Sequence, residues 1–397
     1  MDLYLEGPFE VVKRLQEAGF EALYAGGCVR DFLLGRRSTD VDVATQATPD
    51  QVMQLFPKTV PVGVSFGVVI VVMEGEPIEV ATFRKEEGYE DGRHPDHVTW
   101  ADARMDAERR DFTVNGMFYD PIKEQLLDFV GGREDLKARL IRAIGDPAAR
   151  FREDHLRLLR AVRFAVQLGF ELEPSTRTAI IDLKDLLKEG VSVERIMQEL
   201  QKMQARGVLL QGFQLMQELG LLQVIFPEVE KPLPPLPDDL PVILQICALH
   251  RHLGPLRWLM LPIELKLSGE ERRMTETLAA FDDALRSPTL ELVDWAHLLA
   301  RPWADECLEA LFAWGGPYTY TQREIVELME TLAEAVTRIE LGTPLVSAAD
   351  LAMHGVAPGP QMGHLLRKAE RIAIEQELTS KEEILAQLPL RAPPAQG

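Results

Sequence analysis

Asp40 and Asp42 stand one residue apart in the run TDVDVAT at residues 39–45, framed by Val41 and Val43. That alternation predicts a β-strand, and a period of two points both carboxylates to one face. Two acids on one face can share Mg2+, a hard cation held by one or two carboxylates and completed by substrate phosphates. Just upstream, Gly26 and Gly27 permit close backbone approach. Residues 29–34 read as the first turns of a helix that carries Arg30 and whose N-terminal amides can hold phosphate. A third acid, Glu79 in PIEVATFR, falls on another predicted strand and would suit a two-metal arrangement if it lies beside the pair. These groups suit metal-dependent handling of a nucleoside triphosphate.

Two further segments concentrate charge. ERRDFTVNGMFYDP at residues 108–121 sets Arg109, Arg110 and Asp111 ahead of a turn-forming Asn115-Gly116. In GDPAARFREDHLRLLRAVRFA at residues 145–165, a rotation of ~100° per residue gathers Leu158, Leu159, Val162, Ala165 and Val166 on one side. Asp154, Arg157, Arg160 and Arg163 then fan across the other side, as on an amphipathic helix with a charged face. From Arg133 to Arg163 nine Lys or Arg face five acids, against a formal charge of −20 for the whole chain. Non-specific nucleic-acid coating needs clustered cations, so the overall charge excludes it, whereas the local basic stretch suits one folded RNA end.

The elements that must position these groups change character once. Up to about residue 130, β-rich runs such as VGVSFGVVIVVMEG and QLLDFV alternate with turns and predict a mixed sheet with flanking helices. Helical periodicity dominates beyond, interrupted by the proline-rich residues 227–241, a linker or boundary loop between helical units. At 397 residues the chain is long enough for two or more units. No run approaches the ~18 apolar residues of a membrane span, and the acidic start MDLYLEGPFE does not read as a signal peptide. Cys28, Cys247 and Cys307 lie far apart, so neither a disulfide framework nor a cysteine zinc site is indicated. His250 and His252 read as helix-surface residues, and the tail RAPPAQG as frayed. A cytoplasmic protein is expected.

The ordered series GG, VRD, LG and TDVDVAT resembles the first motif of the class II nucleotidyltransferases, the polymerase-beta-like group of tRNA nucleotidyltransferases and bacterial poly(A) polymerases. The resemblance implies that Asp40 and Asp42 bind catalytic metal and that Gly27 and Arg30 contact the incoming triphosphate; Glu79 joins them as a candidate catalytic acid from its strand alone. RRDFTVNG resembles the second motif, which maps Arg110 to a nucleotide contact. The segment from Glu153 to Phe164 resembles the family's EDxxRxxRxxRF motif, in which the Asp and first Arg read the incoming base. That maps base reading to Asp154 and Arg157, and nucleotide binding also to Arg160 and Arg163. The chemistry agrees: cytosine and adenine present an amine donor beside a ring-nitrogen acceptor, while uracil and guanine present a carbonyl beside an N–H. An Asp acceptor with an Arg donor therefore accepts C and A and leaves U and G unpaired.

Smaller signals bear on the branch. Poly(A) polymerases carry two basic residues before Phe where this chain has Val64 and Ser65. Residues 83–100, with Arg84, Tyr89, Asp91, Arg93 and Pro95, look like the flexible loop that CC-only enzymes have lost. An A-adding enzyme would keep that loop too, so full CCA addition and A addition both stay open. Residues 347–370, with Gly355 and Pro358-Gly359-Pro360, are similar to the family's tail, and suit either a tRNA-contacting surface or a helix-packing motif. The absence of any His-Asp dipeptide gives no support for a fused phosphohydrolase domain.

The resulting expectation is an α+β chain: a nucleotidyltransferase head (residues 1–138), then an all-helical neck (139–200), body (201–290) and tRNA-binding tail (291–397). Its expected activity is template-independent addition of C and A to the tRNA 3′ end from CTP and ATP with Mg2+, with no membrane or DNA partner. A-adding enzyme, poly(A) polymerase and a catalytically silent RNA-binding protein are the alternatives.

Overall fold

The computed structural model describes residues 5–38, 40–63, 67–88, 92, 97–229, 231–237 and 239–390, with only the backbone at Glu87. Val64, Ser65, Tyr89, Asp91, Arg93, Pro95 and the RAPPAQG tail fall outside the described residues. The chain divides into two units, residues 1–227 and 228–397, with the boundary at the start of the proline-rich stretch.

Short β-branched runs build the sheet of the first unit. Its strands are β1 (Ala22–Ala25), β2 (Asp42–Thr45), β3 (Thr59–Gly63), β4 (Val68–Met73) and β5 (Glu76–Thr82). After the hairpin β6 (Arg84–Glu87) and β7 (His97–Trp100), which forms its own two-stranded ladder, come β8 (Phe118–Asp120) and β9 (Gln125–Leu127). The seven-stranded order is β3-β4-β5-β2-β1-β8-β9, with β2 parallel to β5 and the other pairs antiparallel, a mixed sheet as expected.

Alternation along these strands sorts the two faces. Tyr24, Val43, Val69, Val71, Ile78 and Val80 are buried, on the side where α1 (Glu6–Glu17) inserts Val11, Val12 and Leu15. Each fully buried Val or Leu of this kind contributes about 1.5–3 kcal/mol. On the opposite face the register sets Ala25 against Asp42 and Val68 against Ala81. The parallel register Val43↔Val80 carries back one residue to put Asp42 beside Glu79. Small residues on this face leave room for a ligand over the two acids.

The predicted strand from Asp40 is shorter than expected, because β2 starts at Asp42. Its neighbour β1 ends at Ala25, the partner of Asp42, and turns at Gly26 (φ 76°) into α2 (Gly27–Leu33), leaving Asp40 without a β1 partner. Residues 83–100 also differ from a plain loop, since their ends pair from Arg84↔Trp100 to Glu87↔His97.

Helices follow the sheet. α3 (Pro49–Leu55) and α4 (Ala103–Glu108) flank it, and α5 (Gly132–Ala138) and α6 (Pro147–Glu153) lead to α7 (Arg157–Leu168). Beyond lie α8 (Pro174–Leu183), α9 (Leu186–Gly190) and α10 (Val193–Gln204). The charged side of α7 is not a solvated face: Arg157 and Arg163 are buried along with its apolar side. Asp154 is not on that helix at all. It sits in extended backbone between α6 and α7, where its carboxylate accepts the Leu156 amide (3.1 Å) and so competes with helix continuation.

Among its described residues the second unit is built from helices, including Val242–Leu249, buried at every residue, and Gly269–Arg286 and Gln322–Leu341, each opened by a Ser or Thr capping box. His250 is buried rather than surface-exposed: it ends Val242–Leu249 with its ring nitrogen 2.9 Å from the Ile246 carbonyl, and burial lowers its pKa. The tail segment forms Ala348–Met353 and Pro360–Glu375, whose Leu351, Met362, Leu365 and Ala369 share one core with Ile384. No helix among the described residues is long and apolar enough to cross a membrane.

Candidate active site

A cavity of about 500 Å3 opens over the small-residue face of the sheet, with Ala25, Ala44 and Ala81 in its lining. Asp42 and Glu79 lie there side by side. Burial pushes the Asp42 carboxyl up to about 6, reinforced by the negative charges of Glu79 and Asp40 and only partly offset by Arg110. Among the described residues none of these three acids forms an ion pair. A cation would relieve that repulsion. No cluster of three or more His, Cys, Asp or Glu among the described residues is arranged to hold a metal alone.

Around the acids stands a rim of arginines held by carboxylates, with Arg109 and Arg110 sharing one. Arg30 donates to both oxygens of Asp31 (2.9 and 3.0 Å) and to Asn115 Oδ1 (2.6 Å). Buried Asp106 on α4 accepts from Arg109 (2.7 Å) and the Arg84 amide at Oδ1, and from Arg110 (3.0 Å) at Oδ2. Burial would raise the Asp106 carboxyl, but Arg110 and Arg109 prevail and hold it below its ordinary value. Asp111 behaves likewise: burial opposes its charge, Arg160 at 2.5 and 2.8 Å prevails, and the carboxyl sits at about 2. These pairs fix the guanidiniums before any ligand arrives, so little rotamer freedom remains to be lost on binding.

Gly26 shows why the first turn needs glycine. Besides its positive φ, a Cβ there would stand 3.1 Å from Arg110 Nη1. The demand falls on Gly26 rather than on Gly27, where a Cβ would meet Arg30 at 3.6 Å.

Most of the residues singled out from the sequence meet in this one cavity: Gly27, Arg30, Asp42, Glu79 and Arg110 from the sheet side, and Asp154, Arg157 and Arg160 from the α6–α7 side. Two do not. Asp40 is exposed, outside the lining, and touches the site through its charge on Asp42. Arg163 points away into a buried pair with Glu199 (2.5 Å), its guanidinium 4.0 Å from the Phe164 ring. Phe164 does line the cavity, with Arg30 and Arg160 at 5.5 and 5.4 Å from its centroid. Asp154 and Arg157 are held by different partners. Arg157 donates to Glu153 (2.6 Å) and to the Arg150 carbonyl (2.9 Å), while Asp154 takes Arg195 from α10.

Arg109 and Arg195 also line the cavity, and neither is among the site residues expected from the sequence. Arg109 has a signal in its place beside Arg110. Arg195 has no local signal, since its partner lies far off in sequence.

Residues 22–142 match the family model described as Poly A polymerase head domain, and residues 169–232 the one described as Probable RNA and SrmB- binding site of polymerase A. The CCA-adding enzyme of Lactobacillus helveticus is 34% identical over 385 residues, covering 94% of each chain. That of Geobacillus thermodenitrificans is 46% identical over 222 residues, about half of each chain (55% and 54%). Among solved structures, the Bacillus stearothermophilus CCA-adding enzyme in complex with CTP superposes with a TM-score of 0.73 at 29% identity, covering 96% of this chain and 98% of that one. With a motif-bearing cavity and similarity along nearly its whole length, the chain belongs to the tRNA nucleotidyltransferase and poly(A) polymerase family that includes these CCA-adding enzymes.

Proposed function

We propose that this protein adds C, C and A in turn to the 3′ end of tRNA, taking them from CTP and ATP without a nucleic-acid template and releasing pyrophosphate. One observation carries the reading: a single cavity holds the acids Asp42 and Glu79 together with Asp154 and Arg157. The relatives named CCA-adding enzymes, similar across 94% of the chain, support it.

The family implies a divalent metal, and the mutually repelling acids fit one. We assign it as Mg2+, held by Asp40 and Asp42 with Glu79 beside them. When bound, it supplies the charge that lowers the pKa of the tRNA 3′-hydroxyl and offsets the triphosphate. Arg30 and Arg110, prefixed by Asp31 and Asp106, hold the triphosphate with Gly27 leaving room for its approach. Asp154 accepts the exocyclic amine of C or A, and Arg157 donates to the neighbouring ring nitrogen. Arg160, locked on Asp111, packs with Phe164 against the nucleotide. Arg163 acts from behind Phe164, steadying the ring on the Glu199 side. The chain's part is thus to position the reactants and to neutralise charge, which together supply most of the catalysis in phosphoryl-type transfer. The head 1–138 and neck 139–200 carry the cavity within the first unit, the body 201–290 spans the boundary at 227/228, and the tail 291–397 is assigned to tRNA contact.

Passing from cytosine to the larger adenine requires the α6–α7 turn to adjust. The hairpin β6–β7 is connected to it: Gly92 accepts the His155 amide (3.2 Å), and its φ of 66° packs it where a Cβ would strike the His155 ring at 2.4 Å. Deleting Glu86 to Pro95 should therefore leave C addition within about threefold and cut A addition at least about tenfold. The test is single-turnover incorporation on tRNA transcripts ending at the discriminator base or in CC; equal losses of C and A would refute the lever.

A further inference from the structure

Asp154 belongs to no helix or strand, so regular backbone does not set its carboxylate. Two donors do. The Leu156 amide reaches Oδ1, and one amino group of Arg195, Nη2, stands 3.0 Å from both Oδ1 and Oδ2. An ionised carboxylate offers about two lone pairs per oxygen. Leu156 and Arg195 fill those of Oδ1, and Arg195 takes one of Oδ2, leaving a single acceptor position on Oδ2.

We infer that Arg195 is a positioning residue for base selection: it clamps Asp154 so that one lone pair of Oδ2 is presented to one N–H of the incoming base. This rests on the reading that Asp154 meets the base. Arg195 is not serving the fold elsewhere. Among the described residues its side chain bonds nothing but Asp154, and its other amino group, Nη1, is buried without a partner. The pair remains reachable from the cavity, at 18% and 20% side-chain exposure. Without the clamp the carboxylate rotates about its last torsion, presents either oxygen, and also accepts the ring N–H of uracil or guanine. A lysine ammonium can bridge two oxygens as the single Nη2 does, so Lys is the conservative replacement and Met the disabling one.

The test measures kcat/KM for CTP against UTP on a transcript ending at the discriminator base, for wild type, Arg195→Met, Arg195→Lys and Asp154→Ala, each first melted to check folding. Arg195→Met should lower the C-to-U ratio at least about tenfold, while Arg195→Lys keeps it within about threefold. Should Arg195→Met not fold, Arg195→Ala, which likewise offers no donor, replaces it with the same expectation of a lowered ratio. An unchanged ratio in the uncharged variant, with collapse in Asp154→Ala, overturns the clamp and leaves base reading by Asp154 standing. An equal loss in Arg195→Lys also overturns it. An unchanged ratio in Asp154→Ala refutes base reading by that residue, and the clamp with it.

Discussion

Replacing Asp42 with alanine is expected to lower nucleotide addition at least about 1000-fold, the loss of several kcal/mol of charge stabilisation in the transition state. The fold should not suffer. Asp42 bears no ion pair among the described residues, and its raised pKa means that its charge works against the folded state when no cation is present. Above pH 6 in EDTA, Asp42→Ala should therefore melt at or above the wild-type temperature. With Mg2+ and CTP, only the wild type should gain stability strongly. Incorporation rates and melting curves check both halves. Normal turnover in Mg2+ would sink the assignment of the acids.

The double substitution Asp154→Ala with Arg157→Ala is expected to reduce selection of C and A over U and G at least about 100-fold, with a smaller effect on triphosphate binding. Its cost to the fold is limited. Glu153 keeps Arg150 at 2.9 Å when Arg157 is gone, and Arg195 is left without its carboxylate on a partly exposed face. Arg30, Arg110 and Arg160 keep Asp31, Asp106 and Asp111. Competition of all four nucleotides on one transcript measures the choice. Selection as sharp as in the wild type would move base reading to other residues.

Range along the chain separates what is legible in the residues from what is not. The apolar β-branched run of β4, the alternation along β5 and the glycine turn before α2 are local, and they place the sheet and the first motif. The neighbourhood of Asp42 and Glu79 depends on β2 pairing in parallel with β5, a choice no local pattern makes. Helical spacing puts Asp154 on a helix because it is blind to a side chain that caps its own turn through Leu156. Alternation puts Asp40 on a strand because it cannot register where the partner strand turns away at Gly26. Arg195 goes unmarked because VERIMQEL reads as an ordinary amphipathic helix, and only the fold brings it to Asp154. His250 reads as exposed, yet the apolar run VILQICAL packs every side of its helix and draws the capping histidine inward.

The most direct test offers purified protein two tRNA transcripts, one ending at the discriminator base and one ending in CC, with CTP and ATP in Mg2+. The first should gain C, C and A and the second A alone, each product stopping there. Extension of only the CC-ended transcript would make this an A-adding enzyme, long oligo(A) tails would make it a poly(A) polymerase, and either result contradicts the proposed function.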